Sequence, residues 1–157
     1  KRLINAWKGI DEKLIMVGEG ALKSEMQNLI EDLNLSDQIS LEPETNDVAA
    51  LFSKAKALVI SSDREGSPKV LFESLFCNVP VLSTKCGIMS NFLPASSLAE
   101  VNDESFKDLL FQWVNNLHEL EAIQEDCFKK VKEENLLSIQ AKKVIRIYQD
   151  LFSRVSR

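Results

Sequence analysis

The stretch "ALVISSDREGSPKVLFESLFCNVPVLS", residues 57–83, decides the fold. It opens on an apolar run (ALVIS, 57–61), passes through the turn Gly66-Ser67-Pro68, and closes on a second apolar run (VPVLS, 79–83). Short apolar runs bounded by turn residues read as buried strands, and the segment between them, near 68–77, reads as a helix. Ser67 is a good N-cap, and Pro68 suits the first helical position, where a missing N–H is no loss. Strand, helix, strand is the unit from which parallel sheets are built.

The same alternation extends in both directions. LINAW (3–7) reads as the end of a helix and KLIMV (13–17) as a buried strand. Residues 21–34 carry Leu22, Met26, Leu29, Ile30 and Leu33 at helical spacing. ISL (39–41) is a brief strand and 47–54 a short helix with Val48, Leu51 and Phe52. SLAEV (97–101) makes a further strand, followed by helices with Phe106, Leu109, Leu110 and Trp113 on one face, then 119–134 and 138–153. Nearly continuous apolar strands alternating with helices imply a Rossmann-like α/β domain, its parallel sheet covered on both faces. The expectation is one domain over residues 1–157, without repeats or linkers. In this architecture ligands bind at the carboxyl edge of the sheet, so the loops at 18–20, 42–46, 62–68 and 84–90 are the ones to search.

Composition narrows the chemistry. A net charge of −5 with no basic stripe argues against nucleic acid. No apolar run approaches the roughly 20 residues of a membrane span, and no signal peptide opens the sequence. Cys77, Cys86 and Cys127 form no C-x-x-C pair, which fits a reducing, cytoplasmic setting and small buried thiols. His118 is the only histidine and reads as a surface or boundary side chain, so a His-rich metal site is not expected. Catalysis would fall to carboxylates, backbone amides or a partner domain.

Two constellations stand at the expected edge. Gly18-Glu19-Gly20 follows a strand, but Lys23 stands where a dinucleotide fingerprint needs its third glycine. It reads either as an ordinary turn or as a place where backbone amides approach a ligand. In 63–73, the amides of Lys69, Val70 and Leu71 would be free at a helix start, where the dipole favours an anion. Glu65 and Glu73 flank that terminus and would repel a phosphate, whereas carboxylates accept strongly from pairs of hydroxyls. A ligand with a central diphosphate and a polyol at each end, such as a nucleotide sugar, matches that layout. A solvated loop Glu and an ordinary helix Glu remain the alternative reading.

The words around these residues resemble the E-x7-E region of retaining glycosyltransferases of the GT-B fold, the large family typified by sucrose and glycogen synthases. The family pattern is S-x-x-E-G-F-P-x-V-x-x-E-A-x-A-x-G-x-P-V, and Ser61 or Ser62, Glu65, Gly66, Pro68, Val70, Leu71, Glu73, Pro80 and Val81 fall in register with it. KLIMVGEGALKSEMQNLIEDLNLSDQISL and the closing IRIYQDLF are similar to further family segments, so the resemblance covers essentially the whole chain. It implies the C-terminal, donor-binding half of such an enzyme. Glu65 would contact the transferred sugar as the catalytic position, and Glu73 would hold the ribose hydroxyls. Gly18 and the 66–71 turn (Gly66, Ser67, Pro68, Lys69, Val70, Leu71) would approach the donor, and Leu41, Glu42 and Pro43 would frame the base. No cofactor or metal is implied. The implied partners are a nucleotide sugar, with a UDP-sugar ahead of a GDP-sugar, and an N-terminal acceptor-binding domain. Transfer would be to a polysaccharide or glycolipid acceptor, with any peripheral membrane association carried by the other half.

Ser67, Ser74 and Asn78 depart from the family's aromatic, Ala and Gly, and Phe76 with Asn78 implies a bulkier helix end. The family also starts this domain with a strand and a basic loop that clamps the diphosphate. Here the sequence begins inside the following helix, at KRLINAW, so the expected sheet lacks a central strand between KLIMV and ALVIS. A binding or interaction domain of the same fold, without turnover, is therefore the competing function. A nucleotide-sugar epimerase and a flavodoxin-like signalling domain rank lower for want of their acidic and histidine residues.

Overall fold

The structure is a computed structural model, and it describes residues 1–134 and Ile145. The helix expected over 138–153 lies outside the described residues. Five strands and eight helices alternate along the described chain. Strand β1 (Leu14–Val17) pairs in parallel with β2 (Ile39–Glu42), Leu14 opposite Ile39 and Val17 opposite Glu42. A second parallel sheet holds β3 (Leu58–Ile60), β4 (Val81–Thr84) and β5 (Leu98–Ala99), with β4 in the middle. No ladder joins β1 to β3, so the sheet is split where a central strand was expected to be missing. The pair Lys56–Glu12 (2.6 Å) ties together the residues that precede β3 and β1, which starts both sheets at the same end.

The helices are α1 (Arg2–Ala6), α2 (Lys23–Asp32), α3 (Val48–Phe52), α4 (Lys69–Phe76), α5 (Met89–Phe92), α6 (Asp103–Trp113), α7 (Leu117–Ile123) and α8 (Glu125–Glu134). Side chains alternate across a strand, and the three-stranded sheet uses both faces. Val59, Leu82 and Ala99 join α1, α2 and α6 in one apolar cluster, while Leu58, Ile60 and Val81 join α4, α5 and α8 in another. The two-stranded sheet does not. Leu14, Met16, Ile39 and Leu41 face the first cluster, but Ile15 is 54% and Val17 43% exposed, so the fully buried strand expected at 13–17 is half bare. Among the described residues no helix buries that side of β1, and α3, between β2 and β3, has only five residues.

Local chemistry explains the remaining departures. Asn78 takes φ +59, and the amides of Asn78 and Val79 return to the carbonyls of Leu75 and Ser74 at 3.1 and 2.9 Å. That is a Schellman closure, which Asn tolerates in place of Gly. Asn34 closes α2 in the same way. Ser74 is buried and donates to the Val79 carbonyl at 2.9 Å, while Phe76 turns outward, so the end of α4 is regular rather than bulkier. The helix expected over 119–134 breaks at Gln124. Its buried amide accepts from the Val81 N–H and donates to the Val81 carbonyl and Ser97 Oγ, at 2.8 to 2.9 Å. The cysteines are not buried: Cys77 is exposed, and Cys86 and Cys127 are half-buried free thiols. His118 is exposed, as expected, and Trp113 is core.

Candidate functional site

Strand β3 delivers the chain into the loop Ser61–Pro68 at the carboxyl edge of its sheet. Ser62 is the key to the loop's shape. Its hydroxyl donates to Glu65 Oε1 at 2.7 Å, holding the half-buried carboxylate in place. Its carbonyl accepts from Thr84 Oγ1 at 2.5 Å and from Cys86 Sγ at 3.5 Å, both from the end of β4. Ahead of it, Arg2 donates to the Ser61 carbonyl at 3.1 Å and pairs with Asp63 at 2.6 Å and Asp103 at 2.8 Å. The hydrogen bonds from Asp103 and then Asp63 push the Arg2 guanidinium above its ordinary pKa, so it carries its charge at every working pH. Arg2 is thus committed to fastening the loop.

The start of α4 differs from expectation by one residue. Pro68 has ψ 126°, so it is the extended N-cap position itself and the helix begins at Lys69. Ser67 is exposed and caps nothing. The Leu71 amide donates to the Pro68 carbonyl at 3.2 Å, and the Leu71 side chain is fully buried. Among the described residues the amides of Lys69 and Val70 remain unpartnered, at the positive end of an eight-residue helix. Glu73 stands one turn further on, exposed, without a hydrogen bond or ion pair among the described residues. Lys69 and Glu73, four apart, share the outer face of α4 while Leu71, Ser74 and Leu75 take the inner one.

The second group of expected residues assembles around β1 and β2. The Gly18 amide donates to the Glu42 carbonyl at 3.0 Å, which brings Gly18 beside Leu41, Glu42 and Pro43. Gly18 has φ +150 and nothing within 4 Å of where a β-carbon would lie, so its turn opens onto free space. Among the described residues no hydrogen bond or ion pair joins this group to the 61–73 group; the split in the sheet runs between them. Two open surface concavities, around Asn78 and His118, lie at the opposite end of β4 and touch neither group.

Residue reasoning missed the supports. Ser62 was seen only as a pattern match, and Thr84, Cys86, Gly87, Ile88 and Arg2 carry no motif. The 84–90 loop was marked by its place after a strand, but which of its atoms touch Glu65 depends on two loops meeting.

A split parallel sheet with helices on its faces and an open carboxyl edge defines the class, a Rossmann-like α/β domain. The sequence profile of the family "Glycosyl transferases group 1" matches residues 1–129, and the chain belongs to that family. An N-acetylgalactosaminyltransferase acting on a diphospho-undecaprenol acceptor in Campylobacter jejuni is 32% identical over 126 residues, 78% of this chain and 34% of that protein. Sucrose-phosphate synthase from Thermosynechococcus elongatus superposes with a TM-score of 0.85 at 17% identity, over 98% of this chain and 42% of the other. Anabaena HepE, solved with UDP, gives 0.74 at 15% identity over 99% and 43%. At such identities these two structures speak for the fold. The chain spans about an eighth to two-fifths of the length of the curated relatives it matches. Among the described residues no helix is long and apolar enough to cross a membrane.

Proposed function

We propose that this chain is the donor-binding half of a retaining glycosyltransferase and takes a nucleoside diphosphate sugar, in the first instance a UDP-sugar. The observation that carries the reading is the Glu65 carboxylate, oriented by Ser62 at 2.7 Å just ahead of the unpartnered amides of Lys69 and Val70. A carboxylate so placed cannot serve the phosphate; it serves hydroxyls, and the amides serve the anion. Glu65 meets the transferred hexose, and Glu73 takes the ribose hydroxyls. Gly66 and the Lys69 and Val70 amides approach the diphosphate, with Leu71 confined to packing. Gly18 and Leu41–Pro43 border the nucleoside. Arg64 and Lys69, exposed and unpaired among the described residues, add positive charge, so the proposal requires no metal.

Support for the substrate class comes from the relatives, named as N-acetylhexosamine transferases, and from the UDP in the HepE structure. The acceptor is then a polysaccharide or lipid-linked glycan held by a separate acceptor domain, and the enzyme works on the cytoplasmic side. Among the described residues the facing edges of β1 and β3 have no strand partner, which supports a further strand between them. A domain that binds the donor without turning it over is the second reading, favoured by Arg2, whose charge is spent on Asp63 and Asp103.

Calorimetric titration of UDP, GDP and ADP into this chain tests the assignment. UDP binding is expected to weaken by about 1–3 kcal/mol in Glu73→Ala, the cost of an unpaired charge-assisted hydrogen bond. Failure of all three nucleotides to bind overturns the donor assignment.

A further inference from the structure

We infer that Gly87 is a positioning residue for Glu65, the base of a loop-on-loop support that sets where the carboxylate meets the sugar. The inference rests on the reading of Glu65 given above and adds the device that holds it. Gly87 follows β4 and α5 begins two residues later. It adopts φ +55, a conformation that side-chain-bearing residues rarely take. A β-carbon there would stand 2.8 Å from both the Glu65 carbonyl carbon and the Gly66 oxygen, and closer still to the Glu65 oxygen. The two loops would have to part by roughly 1 Å to reach an ordinary C···O separation.

The close approach is one of four tethers between the same segments. Thr84 Oγ1 and Cys86 Sγ hold the Ser62 carbonyl at 2.5 and 3.5 Å, and the Ile88 amide donates to the Gly66 carbonyl at 3.3 Å. Residues 84–88 therefore carry the backbone of 62–66 from below. Above it, the Ser62 hydroxyl aims the Glu65 carboxylate, and nothing lies within 4 Å of a β-carbon position on Gly66. Glu73 and the Lys69 and Val70 amides belong to α4, whose inner face packs with Ile60, Val81, Phe128 and Val131 as well as with Ile88 and Met89, so α4 is held largely by contacts other than the tethers to residues 62–66.

Gly87→Ala tests the device. The affinity of UDP is expected to stay within about twofold, while the added affinity of UDP-N-acetylglucosamine over UDP falls about three- to tenfold, the range of one displaced hydrogen bond. Carbon-13 NMR of the unliganded variant should move the Glu65 carboxyl signal and leave that of Glu73 in place, and exchange of the Ile88 amide should quicken. Thr84→Val, which removes one tether and keeps the shape, should shift the Glu65 signal in the same way and serves if Gly87→Ala does not fold. An unmoved Glu65 signal in both variants overturns the inference, as does a parallel loss of UDP and UDP-sugar affinity. Glu65→Gln separates the two claims. If it leaves the sugar increment unchanged, the role of Glu65 falls, and the unliganded spectra still decide whether Gly87 positions it.

Discussion

β4 and β1 look alike in sequence and live in different surroundings. Val81, Leu82, Ser83 and Thr84 are all buried, between helices on both faces and strands on both edges. In β1, Leu14 is buried while Ile15 and Val17 are open, and among the described residues one edge has no partner. An apolar run states that a strand can be buried; the neighbours decide whether it is. The site follows the same division. Its Glu65 side is cross-braced from β4, whereas its Gly18 side ends the β1–β2 ladder, with the Gly18 amide donating to the Glu42 carbonyl.

The largest test of this contrast is truncation on each side. Leu82→Ala, in the doubly covered sheet, is expected to cost about 2–5 kcal/mol by chemical denaturation, and Ile15→Ala less than about 1 kcal/mol. Equal costs would break the contrast. Next, Gln124→Ala strips both backbone partners from buried Val81 and should cost about 2–3 kcal/mol, with melting lowered accordingly. Arg2→Gln sharpens the comparison at the loop. Its partners Asp63 and Asp103 are 71% and 75% exposed, so the loss should be about 1 kcal/mol or less and should shrink further in high salt.

The smallest effect concerns thiols. Burial, and then the neighbouring Asp126 charge, push the Cys127 thiol above its ordinary pKa, so its folded environment favours the neutral form. Its contribution to stability is complete below the unfolded thiol's pKa and is lost as pH rises through the higher folded value. At pH 8, alkylation monitored by mass spectrometry should modify exposed Cys77 before Cys127.

Much of this was legible in residues 57–83, because periodicity and turn chemistry act locally. The order of elements, the carboxyl-edge loops and the pairing of Glu65 with a helix start all follow from patterns a few residues long. The N-cap was misjudged by one position because Ser67 and Pro68 each suit a helix start, and only the extended ψ of Pro68 separates them. The break at Gln124 was invisible, since a glutamine inside a helical pattern does not announce that it will bridge a strand 43 residues away. Cysteine burial failed because a small apolar side chain goes wherever the packing leaves it.

By itself the sequence determined which segments are strands and helices, and that two carboxylates and a helix terminus come at one edge, since these rest on neighbours along the chain. Tertiary structure alone decided that Arg2, Thr84, Cys86 and Gly87 converge on the Glu65 loop and that Ile15 and Val17 of β1 are left exposed. The convergence depends on hydrogen bonds between residues 22 to 59 positions apart, which no local pattern encodes.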